Sequence, residues 1–240
     1  MEFKDLKTQY MHHKEAIDGA IAKTVASAQF IGGEPVTRLE KQLAEYVGVK
    51  HCISCANGTD ALLLGLMAWG VGEGDAVFVP DFTFFSTAEV VPWTGATPVF
   101  VDIDADTFNM SPQALEEAVA GVKAEGRLKP RAVIAVDLFG QPAEYEKIRR
   151  ITQEQGLLLL EDGAQGFGGR IGEKRACSFG DISTTSFFPV KPLGCYGDGG
   201  AVFTDNDEWA QLVRSFKVHG KGEDKYDNIR LGMTSRLDRI

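Results

Sequence analysis

Four consecutive leucines, Leu157, Leu158, Leu159 and Leu160, running into Glu161-Asp162, constrain this chain more than any other feature. A segment that is apolar at every position has no polar face to turn to water, so it forms a strand covered on both sides. Short apolar segments of the same kind recur at 51–54, 76–79, 98–101, 132–137, 184–187 and 201–204, and the leucine strand itself runs over 157–161. From about residue 36 onward they alternate with helical patterns. That alternation predicts an α/β chain whose mainly parallel sheet is covered by helices.

The helices announce their ends. Thr37 with Glu40 reads as a capping box opening a helix that carries Leu39, Leu43 and Val47 on one face and stops at Gly48. Ser111 with Pro112 opens another, with Leu115, Val119 and Val122 along its buried side. Residues 1 to about 30 read as an amino-terminal arm and helix, and Ser235-Arg236-Leu237-Asp238-Arg239-Ile240 reads as the start of a further helix. No internal repeat or linker-like composition divides the chain, so a single domain is expected.

Composition excludes several classes. With 240 residues, 44% hydrophobic and 25% charged, the chain has the make-up of an ordinary globular protein with one large core. A net charge of −9 argues against non-specific nucleic-acid binding. No apolar stretch approaches the ~20 residues of a membrane span. Met1-Glu2-Phe3-Lys4-Asp5 lacks the basic-then-apolar layout of a secretory leader, so a cytoplasmic location is expected. Cys52 and Cys55 form a CxxC, but Cys177 and Cys195 are too far apart to complete a four-thiolate zinc pattern. Free thiols and no metal are expected, with a metal or redox site the lesser reading.

The end of the leucine strand carries chemistry. Asp162 falls just past its carboxyl end, where open sheets of this class bind ligands, although an Asp there also suits the cap of the next turn. Gln165 follows one short turn later. Lys191 closes the run Ser186-Phe187-Phe188-Pro189-Val190-Lys191. A lysine that works through a Schiff base needs a carbonyl cofactor, and a pyridine cofactor acting as electron sink needs a carboxylate at its ring nitrogen. Asp162 and Lys191 therefore look like the two halves of a pyridoxal 5'-phosphate (PLP) site.

Asn57-Gly58-Thr59-Asp60-Ala61 joins a strand to an apolar helix carrying Leu62, Leu63 and Leu66. Such a helix start cradles phosphate on unpaired N–H groups, though Asn-Gly is also a common turn. Ser186 offers a hydroxyl to the same phosphate. In Pro80-Asp81-Phe82-Thr83-Phe84-Phe85 the rings either fill core or, at Phe84, stack on a flat heteroaromatic ligand. Gly194-Cys195-Tyr196-Gly197-Asp198-Gly199-Gly200 has no GxGxxG register, since the third glycine falls on Val202, and Gly166-Phe167-Gly168 fails likewise at Ile171. Dinucleotide binding is not expected. His219-Gly220 and Arg236 carry no signal by themselves.

Asn57-Gly58-Thr59, the run from Pro80 to Phe84, Glu161-Asp162-Gly163-Ala164-Gln165, and Ser186 to Lys191 followed by Pro192-Leu193-Gly194 together resemble the DegT-type nucleotide-sugar aminotransferases. The resemblance covers essentially the whole chain and implies the aspartate aminotransferase-like PLP fold. It implies that Lys191 holds the cofactor covalently, Asp162 pairs with its pyridine nitrogen, Phe84 stacks on the ring and Gln165 approaches the ring hydroxyl. Gly58, Thr59 and Ser186 would hold the phosphate. It also implies a homodimer with a shared active site, the segment Gly232-Met233-Thr234-Ser235-Arg236 reaching the other subunit, Arg236 meeting a substrate carboxylate and His219 lying near the substrate. Thr234 departs from the family's Gly-x-Asn-x-Arg pattern.

The family continues past the position of Ile240 into a smaller domain, so 1–240 corresponds to the large PLP-binding domain with its arm, and the small carboxy-terminal domain is absent here. The nearest likeness is to enzymes aminating UDP-linked 3-keto-N-acetylglucosaminuronic acid. The implied reaction moves an amino group from L-glutamate to C3 of a UDP-linked 3-keto-N-acetylhexosaminuronate, in polysaccharide and O-antigen biosynthesis. Alternatives are a C4-aminating enzyme for a 4-keto-6-deoxy sugar, a sugar dehydratase (disfavoured because such relatives replace the lysine with histidine), and a non-enzymatic PLP-binding regulatory module.

Overall fold

The computed structural model describes residues 4–224 and 226–240. Its main sheet is built from β1 (His51–Cys55), β2 (Asp75–Pro80), β3 (Thr97–Val101), β4 (Lys129–Val136) and β5 (Leu158–Asp162); a small hairpin, β6 (Arg170–Ile171) with β7 (Lys174–Arg175), intervenes before β8 (Ile182–Ser186) and β9 (Gly200–Thr204) complete it. The seven sheet strands lie in the order β1-β9-β8-β5-β4-β2-β3. Neighbours from β8 through β5, β4 and β2 to β3 are parallel, and β9 alone runs against both of its neighbours. The α/β class and the mainly parallel sheet read from the sequence are therefore present, with every expected strand within three residues of its expected ends.

Strand alternation explains why the sheet is buried on both faces. Ile134 and Leu160 point into a core layer with Leu64, Leu66 and Val213, supplied by α3 (Gly58–Ala68) and α7 (Asp207–Phe216). Val133 and Leu159 point the other way, against Leu115, Val119, Ile148 and Ile151 of α5 (Pro112–Glu125) and α6 (Tyr145–Gln155). A third cluster packs Leu43, Ala44 and Val47 of α2 (Glu34–Val47) on Cys52 and Phe203. Cys52 and Cys55 thus sit in different core layers, on opposite faces of β1, which is why this CxxC cannot bring two thiolates together. All four cysteines are free and three are buried.

Ser111 caps α5 as expected, accepting from Ala114 N at 3.3 Å. The Thr37–Glu40 capping box does not form. The helix starts at Glu34, with Pro35 in its first turn, and the Thr37 amide already donates to Gly33 O within it. Glu40 instead turns outward from the helix, accepting from Ser54 N and Oγ at 2.8 Å and facing Arg214 and Lys217 at 3.2 and 3.5 Å. Two cations and a strand amide outcompete a cap. The expected helix start at Ser235 is also absent. Ser235 N donates to Lys217 O and Arg239 N to Phe30 O, so these amides are committed to distant partners rather than to a helical ladder. The amino-terminal helix α1 (Leu6–Ser27) buries none of its side chains in this chain. Among the described residues no helix is long and apolar enough to cross a membrane.

Candidate active site

Because β2, β4, β5 and β8 are parallel, their carboxyl ends share one edge of the sheet, and the loops that leave Pro80, Val136, Asp162 and Ser186 meet there. The start of α3 reaches the same edge, since β1 runs in the β8 direction. Between them lies a cavity of about 410 Å³ lined by Gly58, Thr59, Phe84, Asp162, Gln165, Ser186 and Lys191, together with Asn57, Ser86 and Asp198. Seven residues named from the sequence are therefore brought to one place.

Asp162 is 7% exposed. Its Oδ2 accepts from Thr87 Oγ1 at 2.9 Å and its Oδ1 from Ala164 N at 3.2 Å. Burial raises its carboxyl above the usual value, while the Thr87 and Ala164 hydrogen bonds and the Lys191 charge pull it back toward ionisation. Lys191 is half-buried; burial lowers its ammonium below the usual value and the Asp162 charge opposes that shift. The pair is thus a partly desolvated amine and a buried carboxyl at one cavity, and desolvation favours the uncharged, nucleophilic form of the lysine.

Asn57 caps α3 by accepting from Asp60 N at 2.7 Å, which leaves the first-turn N–H groups of Gly58 and Thr59 beyond the reach of any helical carbonyl. Only glycine fits at 58: a Cβ there would lie 2.7 Å from Ser186 Cβ. Thr59 Oγ1 and Ser86 Oγ share a hydrogen bond of 2.7 Å at the rim. Gln165 Oε1 accepts from Phe139 N at 2.8 Å, so its NH₂ is the group free to donate toward a ligand. Phe84, which lines the cavity, is 66% exposed.

His219 and Arg236 lie elsewhere. His219, in a left-handed backbone conformation at φ 58°, shares a 2.6 Å hydrogen bond through Nε2 with Thr234 Oγ1 and lines a separate open recess. Arg236 is exposed and outside this cavity. Sequence reasoning missed Thr87, the hydroxyl on the Asp162 carboxylate. In Phe84-Phe85-Ser86-Thr87 it reads as an ordinary helix start, and nothing local marks a contact 75 residues away.

The residues fit pyridoxal phosphate. A buried carboxylate with two of its roughly four acceptor positions filled can take one more donor, such as a ring N–H. A helix amino terminus with two flanking hydroxyls suits a phosphate, and a half-buried amine faces both.

Fold and cavity together are those of an α/β chain with a candidate cofactor site at the carboxyl edge of its sheet. The chain belongs to the DegT/DnrJ/EryC1/StrS aminotransferase family, which matches residues 11–240. It is 48% identical over its whole length to a UDP-2-acetamido-2-deoxy-3-oxo-D-glucuronate aminotransferase of Pseudomonas aeruginosa, of which it spans 65%. It superposes on a DegT DnrJ EryC1 StrS aminotransferase from Brucella abortus with a TM-score of 0.98 and 52% identity, covering all of this chain and 64% of that one. NtdA from Bacillus subtilis, solved with bound cofactor PMP, matches with a TM-score of 0.85 and 30% identity over 95% of this chain and 50% of its own. The chain thus spans less than two thirds of the length of these relatives.

Proposed function

We propose that this chain is the large, PLP-binding domain of an aminotransferase, with an amino-terminal arm over about residues 1–30, that moves an amino group from L-glutamate to C3 of a UDP-linked 3-keto-N-acetylhexosaminuronate. The observation that carries the reading is the meeting of Lys191 and Asp162 in one cavity beside the open start of α3. The 48% identity to a 3-oxo-glucuronate aminotransferase supports the substrate class.

When bound, PLP supplies an electron sink for breaking and making bonds at the carbon that carries the amine. Lys191 would hold the cofactor through Nζ and, as a free amine, would accept and return a proton there. Asp162 would pair with the ring nitrogen, with the Thr87 hydroxyl holding its carboxyl in place and favouring its ionisation. Gln165 would donate to the ring hydroxyl, Phe84 would cover one ring face, and Gly58, Thr59 and Ser186 would hold the phosphate.

Arg236 and His219, outside this cavity in one chain, act across a homodimer interface in this reading, with Arg236 pairing with the C6 carboxylate of the sugar. The setting is cytoplasmic synthesis of surface polysaccharide, O-antigen included. The purified chain incubated with PLP is expected to gain a visible absorbance band that L-glutamate abolishes. A protein that gains no band, or a band indifferent to glutamate, contradicts the cofactor and the reaction class respectively. With the full-length enzyme, preference for a 4-keto-6-deoxy sugar, or indifference to Arg236→Ala, contradicts the substrate assignment.

A further inference from the structure

Behind the Asp162 turn lie two more carboxyl groups that the proposed reaction does not use. Asp137, the residue after β4, and Glu161, in β5, are both 0% exposed. Glu161 gathers donors: Cys177 N at Oε1, and Phe179 N at 2.7 Å, Gly180 N at 3.2 Å and Ser183 Oγ at 2.7 Å at Oε2. Four donors converging on one carboxyl mark it as the anion.

Asp137 is different on its two sides. Its Oδ1 accepts from Tyr145 OH at 2.7 Å and from Ala143 N at 3.2 Å, whereas Oδ2 is buried with no donor among the described residues directed at it. The side chain it meets is Glu161. Two buried carboxylates in contact repel each other, and an orphan oxygen facing an anion is satisfied only if it carries a hydrogen. Burial, then the Glu161 charge, raise the Asp137 carboxyl well above its usual value. Burial leaves Glu161 raised too, although hydrogen bonds from Ser183, Cys177, Phe179 and Asp137 pull it back toward ionisation. The other titratable groups facing this pair are Tyr145 from α6, Asp162 from β5 and the Cys177 thiol.

The pair touches the site through short links. Asp137 N donates to Asp162 O at 3.1 Å, and Phe139 N, in the strained turn after Asp137 at φ 56°, holds Gln165 Oε1. The backbone on both sides of Gln165 packs close by: a Cβ at Gly166 would fall 2.3 Å from Asp137 Oδ2, and one at Gly163 would meet Cys177 Sγ at 2.7 Å and Glu161 Oε1 at 3.6 Å.

We propose that Asp137 and Glu161 hold one proton between them, on Asp137 Oδ2 and donated to Glu161, and that this pair is the positioning device that fixes Asp162 and Gln165 from behind. The proton is independent of any cofactor, while the positioning role rests on the PLP reading of the site.

The test compares the wild-type chain with Asp137→Asn, whose NH₂ imitates the protonated acid, and Asp137→Leu, which has no donor. A group protonated in the fold and raised above its unfolded value of 3.8 contributes stability that is complete below that value and is lost as pH rises toward the folded one. Wild-type stability is therefore expected to decline as pH rises above the unfolded value, more steeply than that of Asp137→Asn. An infrared carbonyl band of a protonated carboxylic acid should be present in the wild type and missing in Asp137→Asn. PLP affinity should stay within about threefold in Asp137→Asn and fall at least about tenfold in Asp137→Leu.

Equal pH slopes, or an infrared band that survives in Asp137→Asn, overturn the shared proton. An Asn variant that loses PLP as severely as the Leu variant overturns the positioning role, and a Leu variant that fails to fold leaves that decision to the Asn variant and its affinity. Should no chain bind PLP, wild type included, the site reading fails and the positioning role with it, while slope and infrared band still decide the proton.

Discussion

The two halves of the candidate site are held in opposite ways. Asp162 ends a buried strand. Its carboxylate is gripped by Thr87 and Ala164, its carbonyl by Asp137 N, and the next residue by Thr184 O at 2.9 Å and Thr185 Oγ1 at 3.2 Å. Lys191 lies on an irregular loop between β8 and β9, flanked by Phe188 and Val190 at 49% and 47% exposure. That loop is tied by few backbone bonds, among them Lys191 N to Phe188 O at 2.8 Å and Cys195 N to Phe187 O at 2.7 Å. From outside, Lys4 Nζ donates to Val190 O at 2.9 Å and Tyr10 packs edge-on to Tyr196. The contrast matches the work each half does in the proposed reaction. A charge partner for a ring nitrogen must not move, whereas a lysine that attaches, leaves and carries a proton must.

Removing the mobile half should have the largest effect. Lys191→Ala is expected to abolish the visible PLP band outright, because among the described residues no other lysine lines the cavity; persistence of the band would break the comparison at its root. Neutralising the fixed half comes next. Asp162→Asn should leave folding and PLP binding detectable but slow amine transfer by ~100-fold or more, since a neutral partner cannot hold the ring charge. Single-turnover rates near wild type would show that the carboxylate is only structural.

Loosening each half separately should give smaller effects. Thr87→Val removes a hydrogen bond that holds the Asp162 carboxyl down, so that carboxyl rises further. The acid limb of the pH–rate profile should then move to higher pH, with a loss of about 1.5–3 kcal/mol in transition-state stabilisation. An unshifted acid limb would separate Asp162 from that limb. Lys4→Ala should cost least, about 0.5–1.5 kcal/mol. Hydrogen exchange should quicken at the amides of Phe188, Val190 and Lys191 and stay unchanged at 160–164. Equal quickening at both would mean that the two halves are not held independently.

What could be read in advance follows the same division. Asp162 was legible because four leucines leave no doubt about the strand beneath it, and strand ends in such sheets are where ligands bind. The starts of α3 and α5 were legible from Asn57 and Ser111, whose side chains act within three residues of themselves. What was hidden depends on distant partners. Thr87 has its meaning only through Asp162, and Glu40 was misread as a cap because its partners Arg214 and Lys217 are over 170 residues away. Ser235 reads as a helix start until its amide is seen bonded to Lys217 O. Asp137, read simply as the last residue of a strand, shows its buried carboxyl only when Glu161 and Tyr145 are packed on it.

The most direct test of the central claim is to find where the cofactor attaches. The purified chain, loaded with PLP, reduced with borohydride and digested, should yield a single modified peptide by mass spectrometry, with the reduced cofactor on Lys191. A modification on any other lysine, or none under conditions where the visible band is present, would contradict the assignment of Lys191 and Asp162 as the two halves of one site.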